Sequence, residues 1–223
     1  MEEDFRIPLE EKKDDKAFKY IIIGMFLFLI LVIGFFVFRT VNDDQFFIYH
    51  GKNGDYKFEV MQIDNITFYK VYVYLDDYEY VIPLRYSPHD TENISYAGEK
   101  ELIKAAIKPD VYITQDLDLI NETKSKSLLA LMEFNRILGT NNFGLYKLNV
   151  RSSVVESTNR SNSLEIPVVD CSNVSEKDAV IFLRIGDESK ISLEDDCVIL
   201  DGIDGDDLIR VADRFSYFLL GVQ

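Results

Sequence analysis

Four aspartates stand where short apolar runs end: Asp116 and Asp118 after VYIT, and Asp201 and Asp204 after CVIL. In open α/β sheets, ligands bind outside the carboxyl ends of the strands. If the two runs are parallel neighbours, four carboxylates could converge on a hard cation such as Mg²⁺ or Ca²⁺, as in a metal-dependent hydrolase. Turn and helix-cap use accounts for the same residues without a metal, because Asp favours both positions. The Asp201–Asp207 stretch also lacks the alternating ligands of an EF-hand loop. Only two histidines are present. His50 falls in a strand and His89 follows Pro88 in a loop, so no nucleophile–base pair emerges. Neither G-x-G-x-x-G nor a P-loop occurs. The expectation is a chain that is not an enzyme, with no catalytic residue, no cofactor and no metal beyond the four candidate aspartates.

DVYITQDLDLI, with IFLRIGD later, resembles the haloacid-dehalogenase phosphatases in outline. It departs from them where Leu119 and Ile120 stand in place of the expected Thr or Val, and no acidic partner trails Gly186-Asp187. Covalent chemistry is better marked. Asn65, Asn93, Asn121, Asn159 and Asn173 each begin an N-x-Ser/Thr acceptor for N-glycosylation. The only cysteines, Cys171 and Cys197, form an even pair that an oxidising compartment would bridge.

Both features imply export, and the N-terminus supplies the means. Tyr20–Phe38 is an uninterrupted run of nineteen uncharged residues. As a helix it reaches about 28 Å, the thickness of a bilayer's hydrocarbon core. Arg6, Lys12, Lys13, Lys16 and Lys19 precede the run, while only Arg39 and Lys52 follow over a similar distance. The positive-inside rule then places the N-terminus in the cytoplasm and the rest outside, and acidic residues in the tail carry little weight in it. FFVFRTVNDDQ offers no small-x-small cleavage site, so the segment reads as an uncleaved signal anchor of a single-pass plasma-membrane protein. The formal net charge of −15 disfavours nucleic acid as a partner, whose phosphates need a basic surface.

The elements beyond the membrane divide at about residue 98. The chain reads as a cytoplasmic tail (1–19), a transmembrane helix (20–38), a β-hairpin lobe (39–98) and an α/β extracytoplasmic domain (99–223). In the lobe, Asn53-Gly54 predicts a hairpin turn between FFIYHGK and DYKFEVMQI. A second hairpin is predicted with Asp76-Asp77 at its tip. It sets Leu75, Val73 and Val71 on one face with Tyr78, Tyr80 and Ile82, and Tyr74, Tyr72 and Lys70 on the other with Glu79 and Val81. The tyrosines suggest a carbohydrate platform, although cross-strand Tyr pairs are also ordinary sheet packing. Ser87–Gly98 reads as a surface connection, and GEKELIKAAIK as a short helix.

From Asp110 the pattern alternates. VYIT, a helix over SLLALMEFNRIL and the strand LYKLNV form a β-α-β unit with a parallel pair. Leu128, Leu131, Met132, Asn135 and Leu138 are the expected buried side of that helix, with Gly139 as its stop. LEIPVV, AVIFLRI, KISL and CVIL follow as strands, with Gly186–Ser189 as a hairpin turn. The last helix buries Leu208, Val211, Ala212, Phe215, Phe218 and Leu219, leaving Arg210, Asp213 and Arg214 to water. Asp206 and Asp207 sit at its start, where the helix dipole favours them. The fold class is therefore α/β or α+β.

IPLRYSPHDTENIS, DVYITQD, the helix ending NRILG, and the run from DCSN through VIFLRIG and DCVILDG to ADRFSYFLLG resemble an uncharacterised archaeal family of membrane-anchored envelope proteins. That resemblance implies an archaeal envelope setting and carries over no functional residue. The expected role is a membrane-tethered interaction or scaffold subunit of a cell-envelope assembly. It would contact the bilayer through residues 20–38 and a protein partner, or a second copy, through its exported part. A surface ligand-binding or sensor module is the alternative, and the hydrolase using Asp116, Asp118, Asp201 and Asp204 is a third.

Overall fold

The computed structural model describes residues 14–41, 45–75, 77–116, 119, 123, 125–139, 144–156 and 165–223; for 14–17, 36–41 and 45 only the backbone is considered. The chain divides into two compact units, Met1–Asp44 and Gln45–Gln223. The first holds one helix, α1 (Asp14–Val41). Its stretch Phe18–Phe35 is long and apolar enough to cross a membrane, and no part of that stretch is buried.

The second unit, Gln45–Gln223, is a mixed α/β structure with two sheets. The first sheet is an antiparallel meander, β1 (Gln45–Gly51), β2 (Gly54–Ile63), β3 (Ile66–Leu75) and β4 (Tyr78–Leu84), in that order. The β3–β4 pairing follows the expected register, with Leu75 opposite Tyr78, Val73 opposite Tyr80 and Val71 opposite Ile82. Alternation fixes it, because Val71 and Ile82 are buried and a one-residue slip would expose both. The first turn lies one residue earlier than expected. Gly51 pairs with Gly54, so Lys52-Asn53 form the loop. Gly54 opens β2 at φ +145°, a backbone state that suits glycine. Asp64-Asn65 closes β2 onto β3 with φ of 47° and 66°, the positive pair of a type I′ turn.

Ser87–Gly98 is more than a surface connection. Ser87 caps a one-turn helix, α2 (Pro88–Thr91), through a reciprocal box with Asp90, and Thr91 and Ile94 are buried. His89 therefore sits on a helix. After β5 (Ser95–Tyr96) and α3 (Glu99–Ala106) come β6 (Asp110–Gln115), α4 (Lys126–Leu138) and β7 (Asn149–Val154). β6 and β7 are parallel neighbours, as a β-α-β unit requires. Further along lie a 3₁₀ turn (Cys171–Asn173), β8 (Asp178–Ile185), β9 (Lys190–Glu194), β10 (Cys197–Gly202) and α5 (Gly205–Leu219).

The second sheet has the order β5-β9-β10-β8-β6-β7. β9 pairs with β10 and not with β8, so Gly186–Ser189 is a crossover and not a hairpin turn. The hairpin turn is Asp195-Asp196, both at positive φ (48° and 64°). One face of the sheet buries Val111, Ile113, Ile181, Leu183, Val198 and Leu200 in a core shared with α3, α4, α5 and the first sheet. On the opposite face Val169, Val180, Cys197 and Ile199 form a smaller cluster, packed by Tyr112 and Phe182.

Both amphipathic readings need correction. In α4 the buried side chains are Ser127, Ala130, Glu133, Phe134, Ile137 and Leu138, while Leu128 and Met132 are exposed. In α5, Asp213 and Arg214 are buried with the apolar residues. That helix meets β10 and β8 of one sheet and also Phe58 of the other, whose ring lies 5.9 Å from that of Tyr217. A helix covered on two sides cannot send its polar residues to water. Its start is conventional. Asp204 accepts from the amides of Asp206 and Asp207, both at 2.9 Å. Asp204→Ala is expected to destabilise the domain by about 1 kcal/mol in denaturant titration, the usual cost of an N-cap.

Candidate functional site

The three of these aspartates that lie among the described residues, Asp116, Asp201 and Asp204, do not assemble. β8 lies between β6 and β10, so the two strand ends are separated by a strand and stand roughly 10 Å apart. Asp201 is buried against Arg184, which donates from Nε to Oδ1 and from a terminal nitrogen to Oδ2 at 3.2 Å. Asp204 is the helix cap, Asp116 is exposed beyond β6, and Asp118 lies outside the described residues. Among the described residues no group of three or more His, Cys, Asp or Glu side chains could hold a metal. The histidines are exposed and paired with carboxylates, His50 with Asp55 at 2.7 Å and His89 with Glu92 at 3.2 Å.

The structure instead gathers buried polar chemistry where α4, α5 and the end of β4 meet. Asp213 is fully buried, and its Oδ2 accepts from the amides of Arg85 (2.8 Å) and Tyr86 (2.7 Å). The hydroxyl of Tyr217, one turn further along α5, donates to the carbonyl of Tyr86 at 2.6 Å. Glu133 of α4 is 7 % exposed and stands beside Asp213, with the Arg85 guanidinium 3.9 Å away. Asp213 Oδ1 and Glu133 Oε2 are buried without a hydrogen-bond partner. Burial pushes Glu133 up to about 7, against the opposing pull of Asp213, Arg85 and Arg136. Burial and the Glu133 carboxyl push Asp213 up as well, and the two amides pull it back. Two carboxyls in one dry site cannot both ionise cheaply, so the pair keeps a proton at neutral pH.

The α5 pattern sends Asp213 to the surface, against its burial here, and the α4 pattern gives no sign of Glu133. The available signal was the breadth of the apolar arc. VADRFSYFLL is apolar nearly all round, and such a helix is buried on every side, whereas LLALMEFNRIL carries no comparable sign for Glu133.

This arrangement is a clamp. It ties the turn after β4 to both long helices, and it fixes a pH dependence. Glu133 binds its proton more tightly folded than unfolded, so its contribution is complete below about pH 4.5 and is lost as pH rises towards 7. Stability is expected to fall by on the order of 2 kcal/mol between about pH 5 and pH 8, with Asp213 adding in the same direction. Denaturant titrations of Glu133→Gln should show that slope reduced. Asp207 works oppositely. Its burial raises it, but Ser189, the Ile203 amide and Arg210 outweigh that and hold it below the ordinary range, so its contribution disappears in acid.

The cysteine expectation is met in geometry. Cys171 and Cys197 have their sulfurs 2.14 Å apart and their Cα atoms 5.3 Å apart, a disulfide. It fastens the 3₁₀ turn Cys171–Asn173 to the buried start of β10. Of the glycosylation acceptors, Asn65, Asn93 and Asn173 are exposed, while Asn121 and Asn159 lie outside the described residues. No family model, no curated protein and no solved structure matches this chain.

Proposed function

We propose that the chain is a single-pass envelope protein whose Gln45–Gln223 domain stands outside the cytoplasm and acts as a tethered interaction subunit. The observation that carries this reading is a disulfide in the same chain as a membrane-length helix whose apolar surface is uncovered. A disulfide persists in an oxidising compartment. Eighteen exposed apolar-rich positions, Phe18–Phe35, find their favourable solvent in lipid. The basic residues before the helix set the direction of insertion, and the three exposed acceptor asparagines agree with it. The resemblance to archaeal envelope proteins fits the same setting.

Tethering confines the domain near one surface and raises its effective concentration for a partner there. The measurement is purification from native membranes in a mild detergent after brief crosslinking. A complex heavier than the monomer, with a constant second component or a second copy, is the expected result. A protein that always migrates alone as a monomer would remove the interaction role.

A further inference from the structure

We infer that a cleft where the first sheet forks is a binding site for a neutral saccharide. This inference does not depend on the membrane topology proposed above. The β2–β3 ladder runs from Ile63 opposite Ile66 to Phe58 opposite Val71 and ends there. Both strands nevertheless continue. β2 extends to Gly54, still paired with β1, and β3 extends to Leu75, still paired with β4. The sheet therefore splits into two ribbons.

The cause lies in the chain's last residues. Tyr56 Oη (2.7 Å) and Asn53 Nδ2 (3.0 Å) both donate to the carbonyl of Gly221. Gly51 lies so close to Val222 that a Cβ there would stand 2.1 Å from its carbonyl oxygen. The β1–β2 ribbon is thus drawn to that segment. At the other tip, Leu75, Tyr74 and Tyr78 are exposed.

The fork encloses about 520 Å³, within the range of small-molecule sites. Its floor is apolar, made by Val73 and the buried Leu220, with Tyr56 alongside. Strand alternation puts Asp55, Lys57, Tyr72, Tyr74 and Glu79 on the opposite side, at the mouth. Lys57 Nζ lies 5.3 Å from the centre of the Tyr72 ring, and the Tyr74 hydroxyl donates to Glu79.

One ammonium against two carboxylates provides no excess positive charge for a phosphate or nucleotide. The aromatic rings and the apolar floor would accept an uncharged ligand with one hydrocarbon face. A pyranose has such a face, whose C–H edges suit the negative face of a tyrosine ring. Its hydroxyls can donate to Asp55 and Glu79 and accept from Lys57.

The test uses the full chain in lipid nanodiscs, made in a host without N-glycosylation and with no sugar-headed detergent. Saturation-transfer NMR would screen glucose, galactose, mannose, N-acetylglucosamine and the β-linked dimers of glucose and N-acetylglucosamine. Binding of at least one at roughly millimolar strength is expected. Tyr74→Ala should weaken it about tenfold, the value of one stacked ring. Tyr78→Ala, at the same tip but on the opposite side of the pleat, should leave it unchanged. The inference fails if none of these sugars binds, or if binding survives intact in both Tyr74→Ala and Lys57→Ala.

Discussion

Asp213→Ala is expected to lower the unfolding free energy by about 3 kcal/mol at neutral pH, whereas Asp213→Asn should cost less than about 1 kcal/mol. The Asp213 carboxylate satisfies two buried amides, those of Arg85 and Tyr86, with one oxygen. Alanine leaves both without an acceptor, and each orphaned donor costs about 1–3 kcal/mol. Alanine also removes the pull that Asp213 exerts on Glu133, so burial acts there with less opposition and Glu133 holds its proton more tightly. Asparagine keeps an oxygen for the amides and carries no charge, and its amide group can donate to Glu133. Urea titration of the nanodisc-embedded chain, followed by near-ultraviolet circular dichroism of its tyrosines, separates the outcomes. If asparagine proves as damaging as alanine, the oxygen acceptor is not what the site requires.

The second large effect belongs to the disulfide. Removing it by the paired substitutions Cys171→Ser and Cys197→Ser is expected to cost roughly 3 kcal/mol, from the chain-entropy value for a separation of 26 residues. The physical consequence is local before it is global. The bond holds the segment around Val169 and Val174 over Val180, Ile199 and Phe182, and this cluster is separate from the main core. Freed of the bond, the segment keeps its place on that face through non-covalent contacts, among them the Thr114 hydroxyl donating to the carbonyl of Val169. Dithiothreitol should therefore lower the denaturation midpoint of the native chain and leave that of the doubly substituted chain unmoved. Equal midpoints for the native chain with and without reductant would contradict the assignment.

The parts of this fold legible in the sequence were those decided locally. The β3–β4 register follows from six alternating positions around a two-residue tip, because a strand's side-chain period leaves a single pairing that buries Val71 and Ile82. The order β6, α4, β7 follows from the change of hydrophobic period. Two cysteines in one domain leave one possible intramolecular bridge.

What stayed hidden depends on contacts distant in sequence. Gly186–Ser189 has the composition of a turn, yet β10 lies between β8 and β9, and Asp195-Asp196 does the turning. Asp213 was assigned to water because α5 was read as a helix with one covered face. Its second cover, the turn after β4, lies more than a hundred residues earlier. Asp116 and Asp201 stay apart for the same reason: β8 falls between their strands, and Arg184 from that strand takes up Asp201. The forked sheet was equally invisible, since it depends on Gly221 and Val222 meeting a hairpin near the other end of the chain.

An envelope role requires the Gln45–Gln223 unit to lie outside the cytoplasm. An epitope tag placed after Gln223, probed with a membrane-impermeant protease on intact cells, tests it directly. Loss of the tag from intact cells, with the residues before the span protected until the membrane is opened, is the predicted result. A tag that survives until lysis would put the folded domain in the cytosol and contradict the proposal.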